Sequence, residues 1–227
     1  MIRYLFFIFF LSVYGEEKIL IGIHGFMRGK SNMSLFNQEF SKDNWKFYSW
    51  SYPSQMRTIQ EHGQSLVDVF NFILKKYPHH KIHFVTHSLG GLILRSALNE
   101  SACPEAIKST KAVLIAPPNQ GAAYGRFLNL FKLFRDIAGD YAGKQLLTTP
   151  HGGFEALGQF PDSMQIQVIA GTCGCNPVIF EKNDGKVGLS ETRLSTPHEF
   201  TTIFAGHSWI CHTQAAVLIA KEFFEKP

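Results

Sequence analysis

Short apolar runs alternate with longer amphipathic stretches along this chain, and each run predicts an element. "KILIGIHG" (18–25), "NWKFYSWSYPS" (44–54), "KIHFVTH" (81–87), "KAVLIAPP" (111–118), "MQIQVIAG" (164–171) and "EFTTIFAGH" (199–207) read as buried strands. Between the second and third, Ile59, Leu66, Val69, Phe70, Ile73 and Leu74 recur at helical spacing over 58–77, stopping before Pro78. Residues 89–99 and 213–226 read as two further helices. Strands apolar on both faces and separated by helices predict a mostly parallel central sheet covered on both sides. With no internal repeat and no low-complexity linker, the chain reads as one α/β domain.

Residues 119–160 depart from the alternation. Helical pattern fills the gap between two strands there, and Phe127, Leu130, Phe131, Phe134 and Ile137 share one face, widened by Leu128 and Leu133. Two readings fit: an ordinary core helix, or a short cap whose apolar arc lines a substrate groove.

Composition bounds the rest. The chain has 227 residues, enough for one sizeable core and too few for two comfortable domains. The net charge of +4 is scattered rather than gathered into a stripe, which argues against a nucleic-acid partner. "MIRYLFFIFFLSVYG" (1–15) combines one positive charge, an apolar run and small residues before Glu16, the pattern of a signal peptide. The run is well short of the ~20 residues that span a bilayer. A buried strand or a retained anchor are the other readings. The expectation is an exported chain, 16–227, in a periplasm, at a surface or outside the cell. Export permits disulfides among Cys103, Cys173, Cys175 and Cys211. A link from Cys173 or Cys175 to Cys211 is the more plausible pairing, and free buried thiols are the alternative. The cysteine spacing falls short of the zinc pattern.

The chemistry centres on "VTHSLGG" (85–91), a near match to the nucleophile elbow G-x-S-x-G in which Thr86 replaces the first glycine. Ser88 follows a strand and precedes a helix, as an elbow demands; capping that helix is the simpler role for a serine there. "HGF" (24–26) closes the first strand, where a loop can supply one oxyanion N–H from Phe26, with Met27 one residue away as the alternative. The second N–H comes from Leu89. A base and an orienting carboxylate must follow in the order acid, then histidine. Asp184, in the turn-forming "NDG", and His207, directly after the last strand, meet that order. Asp162, His198 and His212 sit at the wrong end of a strand or within a helix.

Taken together, "HGF", "YPS" (52–54), "THSLGG", "IAPPNQGA" (115–122), "NDGKVGLSETRL" (183–194) and "GHSWI" (206–210) resemble the α/β-hydrolase superfamily, specifically its small lipase- and esterase-like serine hydrolases. The resemblance implies a reduced α/β-hydrolase fold with a short helical cap. It also implies a Ser88–Asp184–His207 triad with Phe26 and Leu89 as oxyanion donors, acting without metal or organic cofactor. The function expected is an exported hydrolase of lipid-type acyl esters, in possible contact with a lipid surface. An acyltransferase, a thioesterase or a glycolipid deacylase would use the same residues. A non-catalytic binding protein of the same fold is the alternative of another class.

Overall fold

β1 (Lys18–Ile23) leads through a 3₁₀ turn (Lys30–Met33) into α1 (Ser34–Lys42), then β2 (Lys46–Trp50), α2 (Ile59–Lys76), β3 (Lys81–His87), α3 (Leu89–Leu98), α4 (Glu105–Lys108) and β4 (Lys111–Ile115). Three short helices follow, α5 (Ala123–Leu128), α6 (Lys132–Ala138) and α7 (Ala142–Thr148), and a second 3₁₀ turn, Gly153–Leu157. The chain then runs through β5 (Gln165–Gly171), α8 (Leu189–Thr192), β6 (Glu199–Ile203), a third 3₁₀ turn (Ile210–His212) and α9 (Gln214–Glu225). The computed structural model describes residues 18–226, so the leader expected at 1–15 lies outside the described residues.

The strands form one sheet in the order β2-β1-β3-β4-β5-β6, and every neighbouring pair is parallel. The two faces can be read residue by residue from the twofold period of a strand. Ile19, Ile21, Ile23, Phe84, Leu114 and Val168 face α2 and α3 in one buried cluster. Leu20, Val85, Val113, Ile115 and Ile169 face the other way, against Phe36 and Phe40 of α1 and Val217 and Phe224 of α9. Covering both faces is what makes these strands read as continuous apolar runs. α2 begins with a capping box in which Thr58 Oγ1 accepts from Glu61 N–H and the Glu61 carboxylate accepts from Thr58 N–H.

Several elements differ from their sequence patterns. β2, β4 and β6 are shorter than the apolar runs that carry them, because Tyr52, Ala116, Pro117 and Ala205 pack as loop residues at the sheet's C-terminal edge. α1 had no strong periodic signal; only Phe36 and Phe40 of it are buried. The pattern over 123–138 is not one core helix. It breaks at Asn129–Phe131, where the Arg135 guanidinium takes the freed Asn129 carbonyl at 2.6 Å. Part of its apolar face stays in water: Leu130 is 71% exposed and Leu133 64%. The four cysteines are free. Cys211 is buried in the α1–α9 core while Cys173 and Cys175 lie exposed on the loop after β5, so the expected link to Cys211 is not formed.

One buried charge ties the cap region to the sheet layer. The fully buried Arg95 of α3 donates from Nη2 to Glu155 Oε2 at 2.9 Å and from Nε to the Gly158 carbonyl. Arg95→Ala loses both contacts and leaves a buried cavity, so it is expected to cost ~3 kcal/mol by urea unfolding. Arg95→Met, which restores the apolar volume, is expected to cost less.

Candidate active site

The sheet order changes direction at β1: the chain steps outward to β2 and then back across β1 to β3. A crevice opens beyond the C-terminal ends of the strands at such a switch point, the usual place for a ligand in an open parallel sheet. Both sequence-predicted loops open there, "HGF" from β1 and "HSLGG" from β3.

Ser88 adopts φ 50°, ψ −119°, a left-handed backbone that a residue with a side chain rarely takes. Its N–H is held by the Ile115 carbonyl at 2.8 Å, and its own carbonyl accepts from Gly91 N–H at 3.0 Å. α3 starts at once, pressed so close to β1 that a Cβ on Gly90 would lie 2.5 Å from the Ile23 carbonyl oxygen. Glycine is required at that position. Thr86 is a different case. It is an ordinary residue of β3, paired with Ile23 and Leu114, without a positive φ, and its side chain is fully buried. The departure from G-x-S-x-G therefore leaves the turn intact. Ser88 does not cap α3 with its side chain. Its hydroxyl turns instead toward His207.

The three residues expected from sequence come together. His207 Nε2 lies 3.0 Å from Ser88 Oγ, and His207 Nδ1 lies 2.7 Å from Asp184 Oδ2. The other carboxylate oxygen of Asp184 accepts from the N–H groups of Lys186 and Val187 at 2.9 and 2.8 Å. The Asn183-Asp184-Gly185 turn thus aims one oxygen at the histidine by engaging the other. His207 N–H in turn donates to the Asp184 carbonyl at 2.8 Å, locking the two loops. All three side chains are under 10% exposed. The alternatives stay away: His198 bonds the Thr196 carbonyl and lies with Asp162 around a cavity at the opposite end of β5 and β6, and His212 lies in the third 3₁₀ turn.

Of the two oxyanion candidates after β1, Met27 N–H is taken by Ser54 Oγ at 2.9 Å. Phe26 N–H and Leu89 N–H donate to no group among the described residues. Several supporting residues had no distinctive sequence signal. Asn32 Oδ1 accepts from Gly25 N–H at 3.2 Å and lies 2.9 Å from His87 Nδ1. The other nitrogen of His87 lies 3.0 Å from the His207 carbonyl. His24 is structural: its Nε2 accepts from Tyr52 N–H at 3.2 Å, which leaves Nδ1–H to donate to Gly25 O, and its ring stacks on Tyr52 at 4.2 Å.

A cavity of about 360 Å³ opens at Ser88 and His207. Its far wall is apolar and comes from the cap, with Leu128, Phe134, Ile137, Leu146 and Leu147. Among the described residues no cluster of histidine, cysteine and carboxylate side chains could hold a metal ion.

Residues 15–120 match the family described as "Putative serine esterase (DUF676)". Solved structures agree along almost the whole chain. A mature lipase of Bacillus licheniformis superposes with a TM-score of 0.72 at 18% identity, covering 92% of this chain and 93% of its own. The chain has the α/β-hydrolase fold, and its first half is similar to serine esterases. A phospholipase of Legionella pneumophila superposes with a TM-score of 0.69 at 13% identity, over 92% of this chain and 60% of its own. A metagenomic carboxyl esterase does so at 0.62 and 14%, over 92% and 75%. No curated protein matches by sequence.

Two predictions follow from these contacts. Thr86 Oγ1 is buried without a partner among the described residues. Thr86→Val removes that unmet hydroxyl at constant shape, so it is expected to keep activity and raise stability by ~1 kcal/mol. Thr86→Gly, which frees the unfolded chain and loses packing, is expected to lower it by ~1 kcal/mol. Thermal or urea unfolding of the three proteins measures both. The second concerns pH. Burial lowers the pKa of His24, of His62 to about 4, and of His87 well below 6.5. Below pH 6.5 the unfolded chain takes up protons on these rings that the folded chain refuses, so stability falls as pH drops from there toward 4. Each ring steepens that fall by up to ~1.4 kcal/mol per pH unit. Urea midpoints at about pH 7.5 and about pH 5 measure it, and an unchanged midpoint contradicts it.

Proposed function

We propose that this α/β-hydrolase is an exported enzyme that cleaves lipid-type acyl esters through an acyl-enzyme on Ser88. One observation carries the reading: the chain of contacts from Asp184 through His207 to Ser88 Oγ ends in a cavity whose opposite wall is apolar. An acyl chain laid along Leu128, Phe134, Ile137 and Leu146 brings its carbonyl to Ser88. His207 removes the Ser88 proton as Oγ attacks, and Asp184 holds the imidazole tautomer and stabilises the imidazolium. Phe26 and Leu89 N–H groups, free of other acceptors, receive the oxyanion. His207 then protonates the leaving alcohol. Water, deprotonated by the same ring, releases the acid.

The cap supports a lipid substrate. Leu130, Phe131, Leu133, Ile137 and Tyr141 are exposed beside the groove, with Lys132 and Arg135 among them, a surface suited to resting on a lipid interface. The lipase and phospholipase names of two structural neighbours point the same way. Export rests on the leader pattern at 1–15. Among the described residues no helix is long and apolar enough to cross a membrane.

A fluorophosphonate probe is expected to label the intact protein at Ser88, and long-chain acyl esters to be hydrolysed. Ser88→Ala and His207→Ala are expected to lower kcat by ~10⁴-fold or more, and Asp184→Asn by ~10⁴-fold. Undiminished hydrolysis by Ser88→Ala ends the proposal.

A further inference from the structure

The cavity at Ser88 does not end at the triad. A second cavity, of about 270 Å³, adjoins it and shares Met27 and Arg28 as a common wall. The two differ in chemistry. Beyond Arg28 the lining turns polar, with Ser31, Asn32, Ser208 and His212. On the near side, Lys186 lines the Ser88 cavity. Neither cavity is lined by an aspartate or glutamate, and neither Arg28 nor Lys186 forms an ion pair among the described residues. The two cations feel each other: the Lys186 pKa is lowered first by the walls around it and then by the Arg28 charge. The one carboxylate that acts on Lys186, that of Asp184, is engaged by His207 and by two backbone N–H groups, so the paired like charges make a place for an anion.

Their position says which part of a substrate the anion belongs to. Arg28 Nη2 donates to Ser208 Oγ at 2.9 Å, next to His207, and Lys186 N–H donates to the carboxylate that orients His207. Both side chains line the Ser88 cavity together with His207, the ring that would protonate the leaving alcohol. An acyl chain on the cap places its alcohol against Arg28 and Lys186.

We propose that the junction of the two cavities at Arg28 is a headgroup subsite, and that the preferred substrates are acyl esters whose alcohol carries a phosphate, held by Arg28 and Lys186. This rests on Ser88 being the nucleophile, and the test separates the two. 1-Acylglycerol and 1-acylglycerol phosphate of one chain length are hydrolysed by the full chain, by Arg28→Ala and by Lys186→Ala, with unfolding checked for each. The phosphate ester is expected to show at least a ~10-fold higher kcat/KM, as a charge-assisted contact supplies. Each alanine variant is expected to lose at least ~5-fold more on the phosphate ester than on the neutral one, and Arg28→Lys and Lys186→Arg to regain most of it. Raising the salt concentration narrows the preference. Equal rates on the two esters, or equal losses on both in the variants, overturn the subsite while leaving the Ser88 reading in place. Hydrolysis of neither ester counts against the Ser88 reading itself.

Discussion

The backbone of Ser88 is held at φ 50°, and most of the architecture serves to keep it there. An unfavourable backbone angle persists only where its surroundings over-determine it. Here the Ile115 carbonyl holds the serine N–H, α3 begins within one residue, and Gly90 lies against the carbonyls of β1. Those restraints come from β1, β3 and β4, central strands of a sheet buried on both faces. The sheet order matters as much as the strands, because β1 and β3 must be neighbours for the "HGF" loop and the elbow to open into one crevice.

The second half of the site hangs on two loops that fasten each other. Asp184 and His207 are joined by a side-chain contact and by a backbone bond, and His87, next to Ser88, faces the His207 carbonyl. Asn32 connects that histidine to the "HGF" loop. The proposed proton path and oxyanion site thus share one buried polar network, in which a displacement of any member reaches the others. Burial also lowers the His87 pKa, which disfavours a charge on that ring 4.9 Å from the His207 ring.

The cap follows another logic. α5, α6 and α7 turn some apolar side chains to the groove and leave others in water, an arrangement that a folded core alone does not explain. The lipid substrate proposed above would account for both faces at once. The chemistry is divided between the two sides of Ser88, with carbon on the cap side and cations on the side of His207.

Much of this was legible in the amino-acid order. The strands that were apolar on both faces, the helix over 58–77 and the order of Ser88, Asp184 and His207 all follow from local pattern, because burial and turn chemistry leave a periodic trace. The sequence could not say that Thr86 is harmless, since that depends on its backbone angle and on what lies beside it across the sheet. Nor could it tell a core helix from an exposed cap over 123–138: the same apolar arc suits both, and only the presence or absence of a covering layer separates them. Cys211 and the Cys173-Cys175 pair looked like partners until the fold placed one in the core and the others outside. Arg28 and Lys186 lie 158 positions apart. Sequence determines what each residue can do by itself. Which residues share a cavity, and which charges are left without a partner there, is decided by the tertiary packing that brings distant loops to one edge of the sheet.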